Sequence, residues 1–352
     1  IKLFDNGTVY NEADTLAALE KQKIINREFK RWIWEDEDRR WLVEDAYNKA
    51  FAHYKPITFD GSQLTFPDMA SEYTLYPYQK DAVQRILEEK NTLLAFDVGA
   101  GKTYIMIAAA MKMRQEGISR KNLFVVPNHI VGQWEKIFEE LYPKAKILAI
   151  EPKSFKPQMR QKVLQQIQSA DYDGIIMAYS CFEMIPLSVD SMLQNMSSKL
   201  KQIEVALDEL KTPQGYYIDR HSSTVLEAEK KNMRKLTQEF LNSMAPKCSE
   251  DITFDELEID SLFLDEAHNY KNVTVGTGIT RVRGISNQGS KKCDGMMDKV
   301  HCVQRQNHGG RVIMATGTPI TNSITDLFIL QKFLQEGELE FLGIQNFDPW
   351  VG

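Results

Sequence analysis

Two short apolar runs in this chain each lead into a polar motif that can bind phosphate or metal. Residues 93–96 read Leu-Leu-Ala-Phe and precede Gly-Ala-Gly-Lys-Thr at 99–103, and residues 261–264 read Ser-Leu-Phe-Leu and precede Asp-Glu-Ala-His at 265–268. Apolar runs of this length are typical of strands buried in a parallel sheet. Both motifs would then stand at strand ends, so the pair predicts an α/β fold.

The two motifs supply complementary halves of a nucleotide-hydrolysis site. A glycine-rich turn that leads into a helix points backbone N–H groups at phosphate, and Lys102 adds a fixed positive charge. Thr103 can offer its hydroxyl to Mg²⁺. Asp265 can hold the water shell of the metal, and Glu266 can orient or deprotonate the attacking water. We predict Lys102, Asp265 and Glu266 as the catalytic residues.

Apolar runs alternate with amphipathic stretches over most of the chain beyond residue 75. This is the pattern of a parallel sheet that helices cover on both faces. With 352 residues, 43% of them hydrophobic and 26% charged, the chain is long enough for one large domain or two modest ones. The predicted strands are 92–96, 122–126, 146–150, 174–179, 261–265 and 311–315, and the predicted helices include 103–115 and 132–141.

Two regions lie outside this pattern. Residues 1–72 are acidic and have helical patterning, which predicts a helical N-terminal extension before an ATP-binding domain at 73–352. Between about 190 and 245, apolar residues recur at helical spacing on both sides of a turn-like Thr-Pro-Gln-Gly at 212–215. We predict an inserted antiparallel helical hairpin. It is either a peripheral or docking element or an arm that grips DNA.

The segment 271–311 is basic although the chain as a whole is acidic. It contains eight basic and two acidic residues, whereas the whole chain carries a net charge of −6. Its glycines favour a loop region. The segment is either a solvated face or a surface for nucleic acid. For the second alternative the predicted contacts are Arg281, Arg283, Lys291 and Lys292.

Further motifs stand in order around the first two. Phe96 occupies the position of the first glycine of a usual P-loop, a replacement that is frequent in helicase and translocase motors. The other motifs are Leu-Tyr-Pro-Tyr-Gln at 75–79, Val-Val-Pro-Asn at 125–128, Gln-Trp at 133–134, Ala-Tyr-Ser at 178–180 and Ala-Thr-Gly-Thr-Pro at 315–319.

With these motifs in this order, nearly the whole chain resembles the first RecA-like domain of a superfamily 2 helicase. It is most similar to the Swi/Snf-type double-stranded DNA translocases, which share the Thr-Gly-Thr-Pro and Leu-x-Pro-Tyr-Gln motifs. Residues 58–80, 124–129 and 315–320 are also similar to the helicase half of very large methyltransferase-helicase proteins of phages, plasmids and conjugative elements. The resemblance implies a RecA-like fold and an ATP-dependent DNA translocase or helicase motor.

The resemblance also implies roles for individual residues. Gln79 would read adenine, while His268 and Thr316 would couple the nucleotide state to the grip on DNA. The phosphates of ATP and its Mg²⁺ would be bound by Gly99, Gly101, Lys102 and Thr103.

Double-stranded DNA is the partner that the resemblance implies. If the basic segment is only a solvated loop, the DNA track would lie around Asn128 and Ser180. Two further partners follow from the resemblance: a second RecA-like domain that carries arginine fingers, and a methyltransferase domain.

The remaining expectations concern cellular context and completeness. No apolar run approaches the ~18 residues of a membrane helix, and the four cysteines form no Cys-x-x-Cys pair. We therefore expect a cytoplasmic protein of bacterial, phage or mobile-element origin with reduced thiols. Because the chain lacks a first methionine and ends soon after Thr-Gly-Thr-Pro, we expect a fragment with little turnover by itself. The alternative is a nucleotide-dependent binding or regulatory module without turnover, but the Asp265–Glu266 pair favours the motor.

Overall fold

The computed structural model describes most of the chain. The described residues are 2–4, 7–9, 12–51, 57–209, 252–275, 277, 289–306, 311–321 and 323–351, with a few helical residues between 227 and 238. They form two compact units, Ile1–Thr58 and Phe59–Gly352.

The first unit combines a strand pair with two helices. Strands β1 (Lys2–Phe4) and β2 (Gly7–Val9) pair antiparallel, and helices α1 (Glu12–Trp34) and α2 (Glu37–Phe51) follow. Between the helices, the Asp36 carboxylate accepts a hydrogen bond from the backbone N of Arg39 at 2.9 Å. This bond satisfies one of the donors that the first turn of α2 leaves free. Helices α1 and α2 agree with the helical patterning of this region, whereas the bounds of the predicted extension, 1–72, stay a prediction.

A six-stranded sheet forms the centre of the second unit. Its strand order is β3-β8-β7-β4-β6-β5, and every neighbouring pair is parallel. Because the strands are parallel, their carboxyl ends meet at one edge of the sheet. The strands are β3 (Asn91–Leu94), β4 (Asn122–Val126), β5 (Ile147–Ile150), β6 (Gly174–Ala178), β7 (Ser261–Leu264) and β8 (Val312–Ala315).

Helices connect and cover these strands. In chain order they are α3 (Pro77–Glu88), α4 (Lys102–Gln115), α5 (Val131–Leu141), α6 (Pro157–Ser169), α7 (Tyr179–Glu183), α8 (Val189–Glu209), α9 (Lys291–Gln306), α10 (Thr325–Leu334), α11 (Glu336–Phe341) and α12 (Phe347–Val351).

The core is built on the central strands. Every residue of β4, β6, β7 and β8 is buried, which requires cover on both faces of the sheet. On one face, Phe124 and Phe263 stack at 4.8 Å between ring centroids, and Phe124 also contacts Trp134 and Phe138 of α5. Burial of each such ring stabilises the fold by about 1.5–3 kcal/mol. The predicted RecA-like parallel sheet with helices on both faces is confirmed.

The inserted hairpin is described only in part. Its first helix is α8, and it packs on α9: Nζ of Lys199 lies 2.8 Å from Oδ1 of Asp298, and Nδ2 of Asn195 donates to the backbone O of Asp298 at 3.2 Å. The predicted second helix lies largely outside the described residues. The hairpin therefore stays a prediction beyond α8.

Residues 59–72 lie in the second unit. The backbone N of Gly61 donates to Oδ1 of Asp81 in α3 at 2.9 Å, and the backbone N of Ala70 donates to the carbonyl O of Leu141 at 2.8 Å. The boundary of the ATP-binding domain at residue 73 stays a prediction.

Candidate nucleotide site

The glycine-rich turn joins β3 to α4. Gly99 and Gly101 have φ angles of +89° and +76°, a region that other residues adopt only with strain. A methyl group at Gly101 would also lie 2.5 Å from Nε2 of Gln79. The first N–H groups of the 14-residue helix α4 have no partner within the helix. The turn and the helix start together are therefore suited to bind phosphate.

Lys102 is the point at which three motifs meet. Its ammonium group donates to the carbonyl O of Phe96 at 3.0 Å and of Asp97 at 3.1 Å. It is also close enough to Asp265 to act on the pKa of that carboxyl. A methyl group on Gly317 of Thr-Gly-Thr-Pro would lie 3.7 Å from Nζ of Lys102. The glycine-rich turn, the Asp-Glu-Ala-His motif and Thr-Gly-Thr-Pro thus all lie close to the ammonium group of Lys102.

Gln79 joins α3 to the same turn. Its side chain is buried, with Oε1 accepting from the backbone N of Tyr76 at 2.9 Å and Nε2 donating to the carbonyl O of Ala100 at 3.2 Å. The hydroxyl of Tyr78 donates to the same carbonyl at 3.0 Å. These bonds hold the Gln79 amide against the turn. Its role in reading adenine stays a prediction.

Asp265 follows β7 directly and is 6% exposed. Its Oδ2 accepts a hydrogen bond from Nε1 of Trp134 at 3.2 Å, and its Oδ1 accepts one from the backbone N of Glu266 at 3.0 Å. Burial, together with the nearby charge of Glu266, raises the pKa of Asp265 to about 6, although the two hydrogen bonds and Lys102 act in the opposite direction. A bound cation would therefore stabilise the charged form of the Asp265 side chain.

Glu266 stands in a strained backbone conformation, with φ of +50°. Such strain costs about 1–3 kcal/mol and is concentrated at functional sites. Nδ1 of His268 lies 3.2 Å from Oε2 of Glu266 and 3.1 Å from Oγ1 of Thr316. A carboxylate only accepts hydrogen bonds, so Nδ1 carries the proton when it bonds to ionised Glu266. His268 thus links the predicted water-activating residue to Thr-Gly-Thr-Pro.

A buried ion pair joins the same two motifs at a second point. Nζ of Lys271 lies 3.1 Å from Oδ2 of Asp326 in α10, and the two side chains are only 9% and 5% exposed. Lys271 also donates to the carbonyl O of Thr318 at 2.9 Å. Oδ2 of Asp326 further accepts from the backbone N of Thr321 at 2.8 Å. These bonds fix the loop after Thr-Gly-Thr-Pro against the short helix that follows Asp265.

The residues present fit a nucleotide with Mg²⁺. Mg²⁺ is held in proteins by one or two carboxylates, with waters and substrate phosphates completing its shell. The Thr103 hydroxyl and the Asp265 carboxylate are oxygen donors of this kind. Across the described ranges, no group of three or more His, Cys, Asp or Glu side chains forms a separate metal site. The raised pKa of buried Asp265 also fits a carboxylate that pairs with a metal ion.

Two predicted DNA contacts come together at the ends of β4 and β6. Oδ1 of Asn128 accepts a hydrogen bond from the backbone N of Ser180 at 3.1 Å. Asn128 is exposed and Ser180 is half-buried. The residues beside them reach Asp265, because the hydroxyl of Tyr179 donates to the backbone O of Asp265.

The predicted basic contacts are placed only in part. Lys291 and Lys292 begin α9, and Nζ of Lys292 lies 4.7 Å from the ring centroids of both Tyr179 and Tyr270. This contact brings Lys292 next to Tyr179, which directly precedes Ser180 in α7. The remaining two predicted contacts, Arg281 and Arg283, lie outside the described residues.

Sequence reasoning missed several side chains of this region. Trp134 and Tyr179 belong to recognised motifs, but their hydrogen bonds to Asp265 depend on strand order. In the sequence, Lys271 contributed only to the charge count of segment 271–311. No pattern pointed to Asp326 as its partner, because the two residues are 55 positions apart. A search of the sequence for buried charges could not have found Lys271 or Asp326, because the burial of a charge is decided by tertiary packing.

Comparison with known proteins identifies the family. A family model described as a probable helicase domain matches residues 85–352, and the chain belongs to that helicase family. A second model, described as a domain of unknown function, matches residues 4–53.

Individual relatives agree with this membership. The defense against restriction protein B of Escherichia phage P1 is 21% identical over 99% of this chain and 16% of its own length. The uncharacterized ATP-dependent helicase YqhH of Bacillus subtilis (strain 168) is 34% identical over 33% of this chain and 21% of its own length. The prediction of a helicase is confirmed at the level of the family, and its assignment to the Swi/Snf-like type of superfamily 2 stays a prediction.

A solved structure completes the comparison. The SWI2/SNF2 ATPase core of Sulfolobus solfataricus in complex with dsDNA is 19% identical and aligns with 80% of this chain and 40% of that chain, with a TM-score of 0.43. The chain thus spans about a fifth or less of the curated relatives above and two fifths of this structure. Among the helices that the structure describes, none is long and apolar enough to cross a membrane.

Proposed function

We propose that the second unit is the nucleotide-binding half of an ATP-driven motor that acts on double-stranded DNA. The observation that carries this proposal is the position of His268 between Glu266 and Thr316, with Nδ1 within 3.2 Å of both side chains. His268 touches both the proposed water-activating carboxylate of Glu266 and Thr316, which directly follows the neighbouring strand β8. It can therefore transmit a change at the bound phosphate to the other strand ends of the sheet.

Each residue has a separate task in this proposal. Bound ATP with Mg²⁺ supplies the phosphoryl group that is transferred to water. Lys102 places positive charge beside the phosphates, and Asp265 and Thr103 hold the metal. Glu266 accepts the proton of the attacking water, and its contact with His268 orients the Glu266 carboxylate.

The proposal includes two partners beyond this chain. In related phosphoryl-transfer systems an arginine finger raises the rate by about 10³–10⁵. Within the described residues, no arginine side chain forms an ion pair with Asp265 or Glu266. A second RecA-like domain would supply the arginine, and a methyltransferase domain would accompany the motor in the full-length protein. This chain alone would then bind ATP·Mg²⁺ and hydrolyse it slowly.

Isothermal titration of the chain with ATP·Mg²⁺ tests the nucleotide site. We expect saturable binding, and Lys102→Ala should weaken it at least about a hundredfold, because phosphate then loses its charged partner in a low-dielectric site. Lys144→Ala, an exposed lysine outside the site, is the matched control. Unchanged affinity in Lys102→Ala would remove the P-loop assignment.

The alternative function, a binding or regulatory module without turnover, is separated by a second measurement. ATP hydrolysis by the full-length protein is followed with and without duplex DNA. Turnover that duplex DNA stimulates supports the motor. ATP binding with no turnover in either condition would establish the module instead.

A further inference from the structure

A pocket of about 240 Å³ lies between α7 and the first turns of α9. Three lysines and one glutamate supply its charges, and aromatic rings form part of its wall. Its lining includes Lys291, Lys292, Lys299, Glu183, Phe182 and Tyr270. A water molecule occupies about 30 Å³ of liquid, so the pocket has room for a tetrahedral anion.

Lys299 is the unusual member of this pocket. It is 5% exposed, and its ammonium group donates to the carbonyl O of Phe182 and lies 4.4 Å from the centroid of the Phe182 ring. An ammonium group has three N–H donors. Within the described residues, Lys299 forms no ion pair. A buried cation with one neutral acceptor is costly unless an anion joins it.

The single carboxylate of the pocket, Glu183, meets this need only in part: it acts on the charge of Lys299 but forms no ion pair with it. Oε1 of Glu183 lies 3.7 Å from Nζ of Lys292, so Glu183 is the partner of Lys292. Lys292 is also held against the rings of Tyr179 and Tyr270. Lys299 and Lys291 then provide the excess positive charge. Both belong to α9, a helix of 16 residues whose N-terminal end adds a partial positive charge at Lys291.

The pocket shares the short helix α7 with Ser180, one of the predicted DNA contacts, and includes two others, Lys291 and Lys292. Tyr179, which touches Lys292, directly precedes Ser180, and Ser180 is hydrogen-bonded to Asn128. Asn128, Tyr179 and Ser180 follow the carboxyl ends of β4 and β6. We propose that the pocket receives one backbone phosphate of duplex DNA and that Lys299 is the buried cation that pairs with it. This inference rests on the proposed action on DNA.

Burial gives the contact a measurable pH signature. It lowers the pKa of Lys299 to about 8, while Glu183 and Asp298 act to raise it. Asp298 is paired with Lys199 of α8, and the two lysines at the start of α9 add like charge from the same helix. Above pH 8 the free protein therefore holds Lys299 neutral. Binding of a phosphate restores the ammonium form, so complex formation takes up a proton between about pH 8 and 9.

The experiment uses the whole chain and a fluorescein-labelled 20-base-pair duplex, with anisotropy measured as a function of salt. Each phosphate contact contributes about −0.9 to the slope of log affinity against log salt. We expect Lys299→Met to make the slope shallower by about 0.9 and to weaken binding about tenfold at ~0.1 M salt. Lys112→Met is the matched control, because Lys112 is a buried lysine of α4 that pairs with Glu116. The control should keep both values.

Two variants separate lost charge from damaged folding. Lys299→Arg keeps a permanent charge, so it should keep the salt slope but lose proton uptake at pH 8.5, measured by calorimetry in buffers of different ionisation enthalpy. Glu183→Gln changes a partly exposed side chain and removes a repulsive charge. It should tighten duplex binding about threefold.

The outcomes distinguish this inference from the proposed function. Wild-type slope and proton uptake in Lys299→Met would overturn the pocket, while DNA binding itself would stand. Absence of duplex binding by the wild-type chain would overturn both. Inorganic phosphate and pyrophosphate serve as competing probes at ~10 mM and constant ionic strength. If either saturates the pocket without displacing the duplex, the site binds free anions and not the DNA backbone.

Discussion

The nucleotide half and the proposed DNA-facing half of the sheet edge are built differently. At the ends of β3, β8 and β7, the candidate residues bond to one another, as in the contacts of His268 with Glu266 and Thr316. At the ends of β4 and β6, one backbone-to-side-chain bond joins Asn128 and Ser180, and Lys292 of α9 lies 4.7 Å from the ring centroid of Tyr179. A phosphoryl-transfer site needs fixed geometry. A surface that follows a DNA backbone relies chiefly on charge.

Asp265 belongs to both halves. On one side its carboxylate is acted on by Lys102 and Glu266, and on the other it accepts the indole N–H of Trp134. The hydroxyl of Tyr179, the first residue of α7, donates to the backbone carbonyl of Asp265. The order of the strands, with β7 between β8 and β4, makes this possible. Substitutions in the nucleotide half are therefore expected to abolish ATP hydrolysis. Substitutions in the proposed DNA-facing half should instead change DNA binding and its coupling to hydrolysis.

The largest effect is expected at Glu266. In a protein that includes the proposed second RecA-like domain, Glu266→Gln should keep ATP binding and reduce turnover about 10²–10⁴-fold, because the neutral amide cannot accept the proton of water. Steady-state hydrolysis and ATP titration measure the two properties. Glu258→Gln, at another residue with positive φ, is the control for backbone strain. Normal hydrolysis in Glu266→Gln would disqualify Glu266 as the base.

The next largest effect is expected in the pH dependence of the affinity for ATP·Mg²⁺. The raised pKa of Asp265, about 6, means that the carboxyl is neutral below that pH and charged above it. A metal ion requires the charged form, so affinity for ATP·Mg²⁺ should fall about tenfold for each pH unit below 6. Titrations from pH 5 to 8 measure it. Asp265→Asn should retain only the titration of the nucleotide phosphate, and two superimposable profiles would contradict the assignment.

A smaller effect is expected where the two halves are joined. Tyr179→Phe removes the hydroxyl that bonds to Asp265 and should reduce the stimulation of ATP hydrolysis by duplex DNA about tenfold, within the usual range of coupling between sites. The rate without DNA should change little. Tyr142→Phe is the control, because that buried hydroxyl has no hydrogen-bond partner among the described residues. Full stimulation in Tyr179→Phe would show that the halves are coupled elsewhere.

The smallest effect is expected at the edge of the DNA-facing half. Asn128→Ala removes the acceptor of the Ser180 N–H and an exposed polar group, which should weaken duplex binding about fivefold, as for the loss of one hydrogen bond. ATP affinity should stay unchanged. Anisotropy with a labelled duplex measures it, with the exposed neighbour His129→Ala as control. Equal loss in both variants would mean that Asn128 has no specific contact.

The nucleotide half was largely predictable from sequence because each of its motifs is local. The glycine-rich turn and Asp-Glu-Ala-His follow short apolar runs, and the observed strands begin and end within two residues of the predicted ones. Backbone pattern and turn chemistry act over a few residues, so sequence spacing records them. The segment around Arg281 and Arg283 lies outside the described residues, and its role stays a prediction.

The order of the strands and the burial of charges are tertiary properties. By itself, the amino-acid sequence determined the alternation of strands and helices and the residues that stand at the strand ends. Only the packed structure placed β7 between β8 and β4, paired Lys271 with Asp326, and buried Lys299 beside Phe182. These contacts join residues 55 and 117 positions apart. No periodic pattern connects such positions, because their meeting depends on how the whole chain folds.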